Sequence, residues 1–416
     1  MTNKARRLTY MLLLLCACLL PTLARAAEAA PHVSYAWNED STITFTYIDS
    51  TARKVVLKGN CMLSREDRSF AGKQKRRRMH EVRPGEWQCT TRWQLPPELY
   101  TYTIIVDGKR HTDPLNPDSI WVRNKSKSVL LIDGNPQTHL YRPAHRQGQV
   151  ESVTFTGKSG KTFRMMVYLP HNYCDTLQYP LLYLLHGING NQCDWLEQGR
   201  VGNILDNLIE RGDIQPVVAV MPRCLLSEPK HPDRIESTNV FNYAEILRGG
   251  FERHFHEIEE YIHIRYAVQR NGNAIAGLSC GARQAANIAN QHTGEYTYVG
   301  MFSPVVTKKQ LPYAQSDTTR YAKYWVGGGT NDWMFLADAR SYAKGLEKRG
   351  VEHVYLELKG GHTFTNWRVF VTEFLRWAYP LQHAENKEET TIDNNKVYEE
   401  NRIAWGTGTV CPDTVR

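Results

Sequence analysis

The stretch Ala274-Ile275-Ala276-Gly277-Leu278-Ser279-Cys280-Gly281-Ala282 decides the fold. A short apolar run enters Gly277–Gly281, and the helix-compatible segment ARQAANIANQ (282–291) leaves it. A G-x-S-x-G between strand and helix predicts a sharp turn that strains the serine backbone. Such a turn projects the hydroxyl above the carboxyl edge of a parallel sheet. The flanking glycines let strand and helix approach closely. Glycine and serine are common, so the context on both sides gives the pentapeptide its weight.

Strands and helices alternate on either side of it. Leu181–Leu185 (LLYLL) and Val217–Met221 (VVAVM) are short continuous apolar runs, the pattern of strands buried on both faces. Between them Val201, Ile204, Leu205, Leu208 and Ile209 form one helical stripe, with Gly212 placed to end it. Phe251, Phe255, Ile258 and Ile262 form another. Lys323–Val326 and Val354–Leu358 read as further strands, and Ala337–Arg349 as a helix stopped by Gly350. Trp367, Phe370, Val371, Phe374 and Leu375 mark a last helix before Pro380. The expectation for residues 150–382 is a parallel sheet with helices on both faces.

A serine hydroxyl is a poor nucleophile until a base takes its proton. In a sheet of this kind the acid and then the base follow the serine along the chain. Asp332 lies in GGGTNDW (327–333) after one strand, and His362 in GGHT (360–363) after the next. Both are expected on the carboxyl edge with Ser279: Asp332 to orient the imidazole, His362 to move the proton. Asp338 is the fallback acid but falls inside a helix. His254 and His256, beside Glu257 and Glu259 on a helix, read as surface groups. The oxyanion donors are expected to be the backbone N–H of Cys280 and, from the loop His186–Gly190, that of Ile188. Trp195, Trp333 and Trp367 lie in or beside these loops and are candidates to stack on substrate.

Residues 32–137 have a different grammar. TITFTY (42–47), KVVLK (54–58) and Trp87–Trp93 read as short strands, and Leu99–Val106 as the clearest one, closed by the turn pair Asp107-Gly108. An antiparallel sandwich is the natural solution. The run Lys73, Lys75, Arg76, Arg77 and Arg78 reads as a solvated loop. Residues 1–26 read as a signal peptide: Lys4, Arg6 and Arg7, an apolar Tyr10–Leu23, then Ala24-Arg25-Ala26. Export to the periplasm or outside is the expectation. Residues 383–416 read as a polar tail.

The 416 residues carry 51 basic and 43 acidic side chains, and 41% are hydrophobic. That is enough apolar material for packed cores and excludes wholesale disorder. Without residues 1–26, 47 basic face 43 acidic side chains, a balance of +4 that gives no reason to expect nucleic acid. No apolar run is long enough to span a membrane. Seven cysteines remain after the leader. Cys61 with Cys89 and Cys193 with Cys224 are pairs whose linkage spacing cannot decide. No C-x-x-C or H-E-x-x-H occurs, and neither a metal nor an organic cofactor is implied.

Four motifs in order, L-L-H-G-x-x-G-N…D-W, A-I-A-G-L-S-C-G-A, G-T-N-D and G-G-H-T-F-T-N-W-R, resemble the esterase D-type esterases. That group includes the feruloyl and acetyl-xylan esterases of carbohydrate esterase family 1. The resemblance covers about residues 150–380. It implies an α/β-hydrolase domain with Ser279, Asp332 and His362 as its triad. Cys280-Gly281-Ala282 departs from the Met-Gly-Gly of many relatives, which puts the pocket wall in doubt. Pro96–Pro117 is similar to the immunoglobulin-like, carbohydrate-binding-type sandwich that precedes such esterases. The implied function is an exported serine esterase acting on feruloyl or acetyl esters of plant cell-wall polysaccharide. The alternatives are a catecholate siderophore esterase, an acyltransferase on the same scaffold, and a glycan-binding protein with a vestigial esterase domain.

Overall fold

The computed structural model describes residues 33–63, 74–122, 125–188, 190–225, 246, 248–312 and 322–381. The signal-peptide and tail readings (1–26 and 383–416), together with Lys73 and Asn189, lie outside the described residues.

The front part is all-β. Its strands are β1 (Tyr35–Trp37), β2 (Ile43–Ile48), β3 (Val55–Gly59), β4 (Lys75–Arg78), β5 (His80–Arg83), β6 (Glu86–Thr90), β7 (Glu98–Val106), β8 (Lys109–His111), β9 (Ser119–Trp121) and β10 (Ser126–Ile132). They form two antiparallel sheets, ordered β1-β2-β6-β5 and β4-β3-β7-β10-β9, with β8 hairpinned onto β7. Asp107 and Gly108 make that hairpin turn at φ 47° and 88°, both left-handed. The arginine-rich run is a correction: Lys75–Arg78 is an edge strand paired with β3 rather than a loop. Cations on an edge strand keep other chains from pairing with it.

The back part is one eight-stranded sheet. It comprises β11 (Gln149–Thr156), β12 (Thr162–Leu169), β13 (Leu181–Leu185), β14 (Val218–Pro222), β15 (Asn273–Leu278), β16 (Tyr296–Phe302), β17 (Lys323–Gly329) and β18 (His353–Leu358). The order is β11-β12-β14-β13-β15-β16-β17-β18, with β12 antiparallel to both neighbours and the strands from β14 onward parallel. The α-helices described in full are α1 (Pro136–His139), α2 (Asp194–Glu197), α3 (Val201–Arg211), α4 (Phe255–Arg265), α5 (Cys280–Gln291), α6 (Leu336–Glu347) and α7 (Phe364–Ala378). One face of the sheet is packed by α4, α5 and α6. The other is packed by α3 and α7, and here Leu99, Ile120 and Val129 of the front part join the same core.

The two parts therefore share an interior. Strand β7 is buried on both faces, because Tyr100, Tyr102 and Ile104 fill the sandwich while Leu99 reaches the back core. Polar bonds cross the same seam. Arg368 on α7 donates to Glu98 at 2.6 Å, with side chains only 3% and 7% exposed, and also to the Gln198 carbonyl. Arg200 holds Asp118 with both carboxylate oxygens, at 2.7 and 2.9 Å. None of the six described cysteines forms a disulfide.

Candidate active site

Ser279 stands between β15 and α5 at φ 56°, ψ −120°, a conformation L-residues rarely adopt. The strain is held by backbone packing. A Cβ on Gly277 would lie 2.4 Å from the Gly281 carbonyl carbon, and one on Gly281 would lie 2.5 Å from the His186 oxygen. Ser279 N–H donates to the Phe302 carbonyl at 2.9 Å, and its own carbonyl accepts from Ala282 and Val305. Cys280 begins α5, so its amide is among those a helix start leaves without an intrahelical partner.

The loop after β13 lies against this turn: a Cβ on Gly187 would come within 3.2 Å of the Ser279 Cβ. His186 pins the loop. Its Nδ1 meets the Gly187 carbonyl at 2.8 Å, and its Nε2 accepts from the Cys224 N–H at 3.0 Å. These bonds require a neutral ring protonated on Nδ1, and burial lowers its pKa to about 4. Residue spacing does not reveal this role; the histidine of the H-G pair was the available signal. Burial raises the Cys280 thiol pKa, and the nearby Ile188 amide opposes that shift. Cys280 packs with Leu225 and Ile246 against Ile188 and Val305.

Asp332 and His362 come together from the turns after β17 and β18. His362 Nδ1 is 2.7 Å from Asp332 Oδ2, and Asp332 Oδ1 accepts from the Phe335 N–H. The two turns are joined by Asn331 N–H donating to the Gly360 carbonyl at 2.8 Å. Asp338 falls in the first turn of α6, as the sequence indicated.

The tryptophans divide. Trp333 is 71% exposed. Trp195 is a correction: it is 1% exposed, donates to the Leu185 carbonyl, and sits edge-on to Phe302 and Phe364 in the core. Trp367 is a second correction. It is 7% exposed, donates from Nε1 to Ser303 Oγ at 3.2 Å and presents its ring 4.9 Å from that of His362. Both indoles bridge separate elements, which is why neither has a face for a ligand. Trp367 supports the imidazole from behind, and Phe335 flanks it at 4.9 Å.

Residues 157–326 match the family described as "Putative esterase". Among curated proteins, the chain is 29% identical over 286 residues to an endo-1,4-beta-xylanase/feruloyl esterase of Xylanibacter ruminicola, covering 65% of this chain and 38% of that protein. It is 23% identical over 238 residues to endo-1,4-beta-xylanase Y of Acetivibrio thermocellus, covering 57% of this chain and 19% of that protein. The chain thus spans well under half the length of these relatives. Among solved structures, the enterobactin esterase FES from Shigella flexneri aligns with a TM-score of 0.60 at 16% identity, over 85% of this chain and 98% of that one. That coverage exceeds what the sheet domain alone supplies, so the likeness in fold includes the front sandwich. Residues 157–326 thus match this esterase family, and the chain shares its fold with the enterobactin esterase.

Proposed function

We propose that the protein is an exported serine esterase that removes feruloyl or acetyl groups from plant cell-wall polysaccharide. The observation that carries the reading is the Asp332–His362 bond beside the strained Ser279 turn. Ser279 Oγ passes its proton to His362 Nε2 as it attacks the ester carbonyl carbon, while Asp332 stabilises the imidazolium. The oxygen of the tetrahedral intermediate takes the Cys280 N–H and the Ile188 N–H. His362 then protonates the sugar oxygen as its bond to the acyl carbon breaks, and water repeats the cycle on the acyl-enzyme. Trp333 offers an exposed indole for the acyl ring or a sugar. The polysaccharide ester as substrate class is supported by the xylanase/feruloyl esterase relative.

The front sandwich is read as an immunoglobulin-like, carbohydrate-binding-type domain that lines the rim of the site. Trp121, 59% exposed, supports this placement, since its N–H donates to Glu197 of α2. A second reading, hydrolysis of a catecholate trilactone, is supported by the two-part likeness to the enterobactin esterase. The test is ferulate release from methyl ferulate by the purified protein, with Ser279→Ala alongside. Release that vanishes in the variant is the expected result. No release from methyl ferulate or acetylated xylan, with turnover of a catecholate trilactone, would replace the first reading by the second.

A further inference from the structure

At the amino edge of the sheet lies a second cluster of chemistry-bearing groups. The twelve residues of α5 put about 18 Å of helix between it and Ser279. Glu259 on α4, His292 at the end of α5 and Glu295 just before β16 bring a ring nitrogen and two carboxylate oxygens within 4.8 Å of one another. His292 Nδ1 lies 3.4 Å from Glu259 Oε2 and 3.2 Å from Glu295 Oε2. Tetrahedral zinc with bonds of about 2.0–2.2 Å sets its ligand atoms about 3.4 Å apart. Those two separations match two edges of such a tetrahedron.

The surroundings point the same way. The other oxygen of Glu259 accepts from the Tyr296 hydroxyl, the kind of outer bond that orients a metal-binding carboxylate. The Tyr183 ring packs edge-on to Tyr296, at 6.3 Å between centroids. Its hydroxyl, on a side chain 1% exposed, lies in the field of Glu259 and Glu295 without a hydrogen-bond partner among the described residues. A buried hydroxyl left unpartnered next to the Tyr296 ring is a polar group that an additional bound species would satisfy.

We infer that Glu259, His292 and Glu295 bind one divalent cation of the zinc type, with a fourth position taken by water. One imidazole with two carboxylates suits such a borderline ion, whereas calcium takes six to eight oxygens. The ion ties α4 and the start of β16 to the far end of the helix that begins at Ser279, so its effect is on stability rather than on ester chemistry. His292 and Glu295 lie three residues apart, but no sequence spacing announces that Glu259 of α4 joins them.

The test uses tag-free protein cleared of metal, titrated with Zn²⁺ by calorimetry and melted with and without it. One equivalent binding at about micromolar Kd or tighter, with Tm raised by several degrees, is expected. Glu259→Gln and His292→Ala should weaken binding at least about tenfold and abolish the shift in Tm. Glu295→Gln, at an exposed position, gives the same reading with little risk to folding. No binding below about 100 μM Zn²⁺, or equal binding by all three variants, would mean a histidine–carboxylate contact only and overturn the inference. A Tm raised by Ca²⁺ but not by Zn²⁺ would overturn it too.

Discussion

The two sides of the reaction centre are held by different forces. On the serine side, backbone lies against backbone: Gly277, Gly281 and Gly187 leave no room for an added atom, and this close packing keeps Ser279 in its strained conformation. On the acid–base side the restraints are polar and aromatic. Asp332 holds His362, Phe335 donates to Asp332, and Trp367 is anchored to Ser303 behind the imidazole. The first side should be the more sensitive to added volume, the second to lost polarity. The difference teaches that substitutions on the serine side should register chiefly as lost stability, and those on the acid–base side as lost rate.

Ser279→Ala tests the limit of that contrast, since it deletes one oxygen without adding volume. Ester turnover should fall by about 10⁵-fold or more while the melting temperature holds. Next, Asp332→Asn keeps the shape and removes the charge that selects the tautomer; kcat should drop about 10⁴-fold, again with little change in stability. A large loss of Tm with retained turnover in that variant would break the comparison.

Stability effects come after these. Arg368→Ala strands the buried Glu98 carboxylate at the seam between sandwich and sheet, so unfolding should become easier by about 3–5 kcal/mol in denaturant titrations. Arg368→Met together with Glu98→Gln should recover most of that loss, because no charge is then left unpaired. Acid should also weaken the serine side. Burial lowers the folded His186 pKa to about 4 from the usual 6.5, so well above pH 6.5 the ring is neutral in both states and contributes nothing to the pH dependence. As pH falls from 6.5 to 4 the unfolded chain binds a proton that the fold refuses, and stability drops by up to about 3 kcal/mol. Urea midpoints measured at pH 7 and pH 4.5 check this. Smallest is Gly281→Ala, where one methyl against the His186 carbonyl should cost about 1–3 kcal/mol and lower activity through the displaced serine.

Much of the architecture could be read from local order. The runs at 181–185 and 217–221 are buried strands, and Gly212 ends α3 in the left-handed region. Alternating strand and helix then put the turns bearing Ser279, Asp332 and His362 on one edge, because parallel strands all end on the same side. Side-chain roles were less legible. Trp195 and Trp367 resemble Trp333 in sequence context, yet burial makes them core and support. The basic run 75–78 becomes a strand only because β3 is there to pair with it.

The sequence by itself determined the order of elements, the strained serine turn and the candidates for its acid and base. Each is written in residues close along the chain, where glycine placement and hydrophobic period act directly. Only the tertiary structure decided which tryptophan faces solvent, that Glu98 meets Arg368, and that Glu259, His292 and Glu295 converge. Those outcomes depend on how separate elements pack, and packing balances burial against polar satisfaction across residues the chain order keeps apart.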